Sequence, residues 1–202
     1  MKLYHSKGSR SARVLWLLEE LGVEYEIETL PFDPKALRSP DYLANPFGKV
    51  PVFVDDGATM FESVAIMQYL LEHYGDGHLE PDRSGPDYGM FLQWMQFGES
   101  TLMGPVSMIV ENTQLLPEAE RRPELAAQGR RSFEFYAKEL DTRLQGQTYL
   151  VDDTFTAADI VVGYALHVAD SCQALPSSLK ALRAYYERLA ARPAFQKAMS
   201  RE

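Results

Sequence analysis

The chain reads as a mixed α/β domain followed by an all-α helical bundle. Three observations predict this. A strand–helix–strand pattern occupies Lys2 to Leu30, a hairpin signal and a second amphipathic helix follow by Tyr74, and no convincing strand appears after Pro86.

Lys2 to His5 is a short strand, and Ser6 to Ser11 is a polar, glycine-containing connection. Val14, Leu17, Leu18 and Leu21 then fall at i, i+3, i+4 and i+7, the stripe of an amphipathic helix. Gly22 supplies the left-handed residue that commonly ends one. Tyr25 to Leu30 is the second strand, and two strands joined by a helix make a parallel βαβ unit. Pro31 to Ala44 carries three prolines and at most one helical turn, around Asp41 to Leu43. Pro51 has no N–H to donate, which suits the entry to a third strand at Val52. Asp56-Gly57 between two apolar runs is a hairpin turn. Val64, Met67, Leu70, Leu71 and Tyr74 give the next helical stripe, closed by Gly75. The order β-α-β-(α)-β-β-α builds one mixed four-stranded sheet with helices on its faces.

Gly75 to Pro86 is turn-rich and aperiodic, so the domains are drawn as residues 1–78, a linker at 79–85, and a helical domain at 86–202. In that second part, Asp87 to Val110 is expected as one long helix kinked or divided by Pro105. Glu118 to Leu144 is a second long helix. After a loop at Gly146 to Asp153 come Ala157 to Cys172, Ser178 to Ala190 and Pro193 to Met199. Thr156 precedes Asp159 by three residues, a capping box with Asp in place of Glu, flanked by Phe155 and Ile160 as a staple. It is a folding signal with no catalytic role.

Composition narrows the function. Hydrophobic content of 46% with 24% charge is that of a globular protein. A net charge of −9 argues against nucleic acid as a partner, since phosphates demand an excess of Lys and Arg. Cys172 is the only cysteine, which rules out an intramolecular disulfide, a CxxC redox pair and a thiolate zinc site. No apolar run approaches membrane-spanning length, and the polar N-terminus is no signal peptide. The expected location is the cytoplasm. His5, His73, His78 and His167 do not cluster, no HExxH occurs, and no metal is expected.

The residues with chemical promise lie in two places. Glu62-Ser63 stands where a strand gives way to a helix, at the positive end of a helix dipole. A proline-entered strand and that anion-ready helix start suit an extended ligand bearing carboxylates. Ser9, Ser11 and Tyr4 are hydroxyls near the end of the first strand. Their structural roles are ordinary: a serine caps the helix and the tyrosine packs in the core.

Four motifs occur together: Asn45-Pro-Phe-Gly-Lys-Val-Pro-Val, Glu62-Ser63, Phe155-Thr-Ala-Ala-Asp-Ile and Arg192-Pro193-Ala-Phe. In this order and spacing the whole chain resembles the cytosolic glutathione S-transferases. Ser9-Arg10-Ser11-Ala12-Arg13-Val-Leu-Trp is similar to the start of their serine-type bacterial and fungal branches. The resemblance implies a thioredoxin-like N-terminal domain that binds glutathione as co-substrate. It implies a cis bond at Val50-Pro51, with Val50 pairing its backbone with the tripeptide. Glu62 and Ser63 would take the γ-glutamyl end and Lys49 the glycyl carboxylate. Ser9 would donate to the sulfur, with Ser11 second and Tyr4 slightly early. Arg10 occupies the position of cysteine in some bacterial branches, which argues against thiol transfer. Arg10 and Arg13 are read as solvated or as adding charge near the thiolate.

The function implied is conjugation of the glutathione thiolate to small hydrophobic electrophiles by a homodimer, the N-terminal domain of one subunit facing the helical domain of the other. Trp94, Met95, Phe97 and Met103 are read mainly as helix core, and by resemblance as part of an electrophile pocket. Two alternatives stand behind it. One is glutathione-dependent peroxide reduction, isomerisation or dehalogenation at the same site. The other is a non-catalytic binding module of this fold, which usually lacks the hydroxyl or the Glu-Ser pair.

Overall fold

Strand β1 (Lys2–His5) lies inside a four-stranded sheet of order β2-β1-β3-β4. It runs parallel to β2 (Glu26–Thr29) and antiparallel to β3 (Val52–Asp55), which pairs antiparallel with β4 (Ala58–Met60). The computed structural model describes residues 1–33, 35–39 and 47–201. The turn expected at Asp41 to Leu43, and the start of the motif at Asn45, lie outside the described residues.

The parallel pairing of β1 and β2 requires a crossover, which helix α1 (Ser11–Leu21) provides. Leu3 and His5 are fully buried, while Lys2 and Tyr4 alternate to the other face. Edge strand β2 carries Glu26 and Glu28, and the Glu28 carboxylate meets Lys2 at 2.6 Å. Charge along an edge discourages pairing with another chain. Asp56 and Gly57 link β3 to β4 with φ of 43° and 78°. Positive φ at both central residues matches the twist of the strands, as in a two-residue type I′ hairpin. Helix α2 (Ser63–Tyr74) follows and packs on α1.

Packing divides the described chain into two units, Met1–Glu80 together with the segment from Ala191 onward, and Pro81–Ala190. The last helix, α8 (Pro193–Ser200), therefore counts with the sheet, whereas the sequence boundary assigned 86–202 to the helical part. Long-range packing explains the difference. Phe195 packs edge-on against Trp16 with ring centroids 4.9 Å apart, and Arg192 grips Glu20 through two hydrogen bonds of 2.6 and 2.7 Å. Lys197 adds an ion pair to Glu19 at 2.7 Å.

In the second unit, α3 (Tyr88–Gln96) and α4 (Met103–Val110) are separated by a π-helical turn at Phe97–Leu102. The expected break is real but lies just before Pro105. The missing N–H of that proline leaves the carbonyl of Thr101 without its i→i+4 bond, so the preceding turn loosens. Gly98 in this turn packs so close to α6 (Ala157–Ser171) that a Cβ would lie 2.8 Å from Val161 Cγ1. Helix α5 (Pro123–Arg143) begins later than Glu118, because Arg122 before a proline is extended at φ −114°, ψ 97°. Helix α7 is Lys180–Ala190. Trp94, Met95 and Met103 are buried.

Helix α6 is buried along most of its length and starts at a capping box between Thr156 and Asp159. The Asp159 carboxylate accepts from Thr156 N–H at 2.8 Å and Leu150 N–H at 3.1 Å. It also accepts from the Tyr185 hydroxyl at 2.8 Å and from the Thr156 hydroxyl at 3.2 Å. Burial pushes its pKa up, against these donors.

Candidate active site

The turn between β1 and α1 is tied together by serines. Ser9 N–H donates to the Ser6 carbonyl at 3.1 Å, and the Ser9 carbonyl accepts from Ala12 N–H at 3.0 Å. Ser9 Oγ accepts from Ser11 N–H at 3.2 Å, a local serine turn one residue ahead of Arg10, the N-cap of helix α1. Ser11 is fully buried, Ser9 is 5% exposed, and their hydroxyl oxygens are 2.6 Å apart. Behind them, Ser11 Oγ is 2.8 Å from His5 Nδ1.

Tyr4 points away from this cluster. It packs, half-buried, with Leu37, Val52, Val50 and Val54 on the other side of β1. Its hydroxyl therefore belongs to a different face from Ser9 and Ser11.

Helix α1 also supplies Arg13, which is wholly buried. The run Val14-Leu-Trp-Leu-Leu is apolar on every face, and each of these residues is buried. A helix enclosed all round leaves no solvated face for the arginine that precedes the run. The guanidinium instead donates from Nε at 2.9 Å and from Nη2 at 2.6 Å to Ser63 Oγ. Arg13 thus sits beside the start of α2, and the reading as a solvated arginine is corrected. Two donors fill both lone pairs of the Ser63 hydroxyl, so its own proton is left to donate. A buried cation and a helix N-terminus both favour an anion as its acceptor.

Glu62, just before Ser63, is exposed and has φ 70°, ψ 101°. A non-glycine residue there stores on the order of 1–3 kcal/mol of strain, of the kind that clusters at ligand clamps. Lys49 is exposed, Val50 is half-buried, Pro51 is buried, and the Val50–Pro51 bond is cis. Contacts thus join Ser9 to Ser11, and Ser63 to α1 through Arg13, while Lys49, Val50 and Pro51 follow one another along the loop into β3. Sequence reasoning named Arg13 only as solvated or as charge near the thiolate, and missed both its contact with Ser63 and the place of His5 behind Ser11. The signal for Arg13 was the apolar run on its C-terminal side; for His5 it was the alternation of β1, which turns it inward with Leu3.

Two domain families match this chain. The glutathione S-transferase N-terminal domain matches residues 1–72, and the C-terminal domain of the same family matches residues 100–193. Glutathione S-transferase 3 of Schizosaccharomyces pombe is 40% identical over 103 residues, half of this chain and 42% of its own length. Glutathione S-transferase 4 of Zea mays is 32% identical over 92% of this chain and 85% of its own length. The glutathione transferase URE2P6 of Phanerochaete chrysosporium, solved in complex with oxidized glutathione, superposes with a TM-score of 0.86. It is 28% identical and covers 98% of this chain and 93% of its own. On these similarities and on its own architecture, the chain belongs to the glutathione S-transferase family.

Proposed function

We propose that the protein binds glutathione on its first unit and conjugates the thiolate to small hydrophobic electrophiles. The observation that carries this reading is the double donation of Arg13 to Ser63, which leaves the hydroxyl proton to donate to a ligand at a helix start beside a buried cation. An α-carboxylate such as that of the γ-glutamyl group meets those demands. Glu62 would take the accompanying ammonium, the backbone of Val50 would pair with the middle of the tripeptide, and Lys49 would reach its glycyl end. Ser9 is assigned as the hydroxyl that donates to the sulfur. Its 5% exposure, against none for Ser11, supports that choice, and Ser11 then stands behind it.

Conjugation needs an ionised sulfur, and a free thiol with pKa near 8.5 is mostly protonated at neutral pH. A hydrogen bond to the charged form is worth about 1.5–3 kcal/mol, which lowers the pKa by about 1–2 units. Holding the two reactants together supplies much of the remaining acceleration. We assign the protein to the serine-type branch and to the cytoplasm, in keeping with its single buried, free Cys172. We also assign it a homodimeric state, as the resemblance implies.

The test is a pH titration of the glutathione complex, following thiolate absorbance. The parent protein should ionise the bound thiol well below the free value. Ser9→Ala should shift ionisation up by about 1–2 units and lower kcat/KM at neutral pH roughly 10- to 100-fold, with glutathione affinity within severalfold. If no thiolate forms near neutral pH in the parent, the chain is a binding module and the proposal falls. If Ser11→Ala alone abolishes the effect while Ser9→Ala leaves it intact, the serine is misassigned.

A further inference from the structure

We propose that the proton of the glutathione thiol passes inward through Ser9 and Ser11 to His5, so that the sulfur ionises while its proton stays inside the protein. The inference rests on the assignment of Ser9 above.

The tautomer of His5 sets the direction of the chain. His5 is fully buried, and its Nδ1 lies 2.8 Å from Ser11 Oγ. The ring also donates to the Arg201 backbone carbonyl. A neutral imidazole carries one N–H and a carbonyl can only accept. With Nδ1 turned to Ser11, the proton is therefore on Nε2, and Nδ1 is an acceptor.

Counting donors and acceptors fixes the rest. Ser11 Oγ–H donates to His5 Nδ1. Its two lone pairs take Ser6 N–H at 3.2 Å and the Ser9 hydroxyl at 2.6 Å. The Ser6 carbonyl, at 3.3 Å, is the more distant acceptor and already receives Ser9 N–H. Ser9 Oγ thus donates to Ser11 and accepts from Ser11 N–H at 3.2 Å. Within this cluster Ser11 is fully used, and one lone pair of Ser9 is left over. Ser9 is also the more exposed of the two, at 5%. It offers a ligand an acceptor, and a thiol S–H is a donor that fits it.

Ionisation moves three protons one place each. The S–H bond breaks as a new Ser9 O–H bond forms. The former Ser9 proton passes to Ser11 Oγ, and the former Ser11 proton to His5 Nδ1. No electrons are transferred and no co-reactant is consumed. Afterwards His5 donates to Ser11, Ser11 to Ser9, and Ser9 to the sulfur. The transfer itself creates the hydrogen bond that holds the thiolate. Thiolate and imidazolium form together, and each favours the charge of the other. Burial and the nearby Arg201 charge hold His5 below its ordinary 6.5, which keeps it neutral beforehand, while the Arg201 carbonyl favours the cation.

The test counts protons on the full chain. Glutathione is titrated by calorimetry at about pH 7 in two buffers of different ionisation heat, with thiolate followed by absorbance. S-methylglutathione, which has no ionisable thiol, supplies the baseline. The parent should release well below about half a proton per thiolate formed, and about one, the value for loss to solvent, overturns the proposal. His5→Asn places an amide oxygen near the Nδ1 position, which accepts from Ser11 but holds no proton. It should lower thiolate roughly tenfold at neutral pH, with the glutathione Kd within about threefold. Parental thiolate in His5→Asn overturns the proposal, because an acceptor alone would then suffice. Should that variant fail to fold, nitrogen-15 spectra of the parent, with His5 assigned by triple resonance, decide the matter. The ring should pass from the Nε2–H tautomer to the imidazolium on binding glutathione but not S-methylglutathione. A ring that stays neutral while thiolate forms overturns the proposal. If Ser9→Ala keeps the parental thiolate, the Ser9 assignment falls and the relay with it. If Ser9→Ala loses the thiolate but the parent releases its proton to solvent, only the relay falls.

Discussion

Arg13 and Ser63 are fifty positions apart, yet two guanidinium N–H groups converge on the single hydroxyl oxygen at 2.9 and 2.6 Å. The pairing joins the first turn of α1 to the first residue of α2. Ser63→Ala should raise the Kd for glutathione roughly 10- to 100-fold, the value of a hydrogen bond to a charged group, and should affect turnover at saturation much less. Arg13→Met keeps the length of the side chain without its charge and should weaken binding in the same way. Titration calorimetry measures both, and an unchanged Kd for Ser63→Ala would remove the serine from the ligand.

Glu62 combines an exposed carboxylate with a backbone conformation that side chains disfavour. Glycine adopts positive φ freely but adds about 0.5–1 kcal/mol of entropy to lose on folding, less than or similar to the strain it relieves. Glu62→Gly should therefore unfold no lower than the parent while binding glutathione more weakly. A clearly lower Tm would show that the strain is absent.

Asp159 is the hub of a buried network with no place in the chemistry. Asp159→Ala leaves the N–H groups of Leu150 and Thr156 and the hydroxyl of Tyr185 without their acceptor, each worth about 1–3 kcal/mol. The expected loss is about 3–5 kcal/mol in denaturant unfolding, and a loss below about 1 kcal/mol would contradict the network.

Two histidines set the response to mild acid. Burial pushes the pKa of His5 below its ordinary 6.5, and burial does the same to His167 against the opposing charge of Asp170. Below about 6.5 the unfolded chain takes up protons that the folded chain refuses, so stability falls as pH falls. The urea midpoint should be lower at about pH 5.5 than at about pH 7.5. His167→Phe should flatten that difference, and a slope unchanged by the substitution would assign it elsewhere.

Local pattern made much of this legible from the residues alone. The stripe of α1, the Asp56-Gly57 turn, the stripe of α2 and the Thr156–Asp159 cap each depend on neighbours within one or two turns of chain. Partners were not legible in the same way. Helical spacing tells which face of α1 is apolar, but not that Arg13 reaches Ser63 across fifty residues or that Trp16 receives Phe195. The serine cluster was further out of reach, because spacing alone does not bring His5 Nδ1 to within 2.8 Å of Ser11 Oγ. That is a property of packing around the ring, which spacing does not encode.

The return of α8 to α1 carries a consequence for how the chain is made. Residues 81–190 form an insertion within the first unit, whose own core is completed only by Phe195 and the Arg192 grip on Glu20. On the ribosome, the sheet and α1 precede the helical unit and must wait with the face around Trp16 uncovered until α8 is synthesised. The helical unit between them can fold in the interval. The first unit is thus finished only after the helical unit has been translated, and a nascent chain stopped before Ala191 should leave the face around Trp16 uncovered for chaperones to hold.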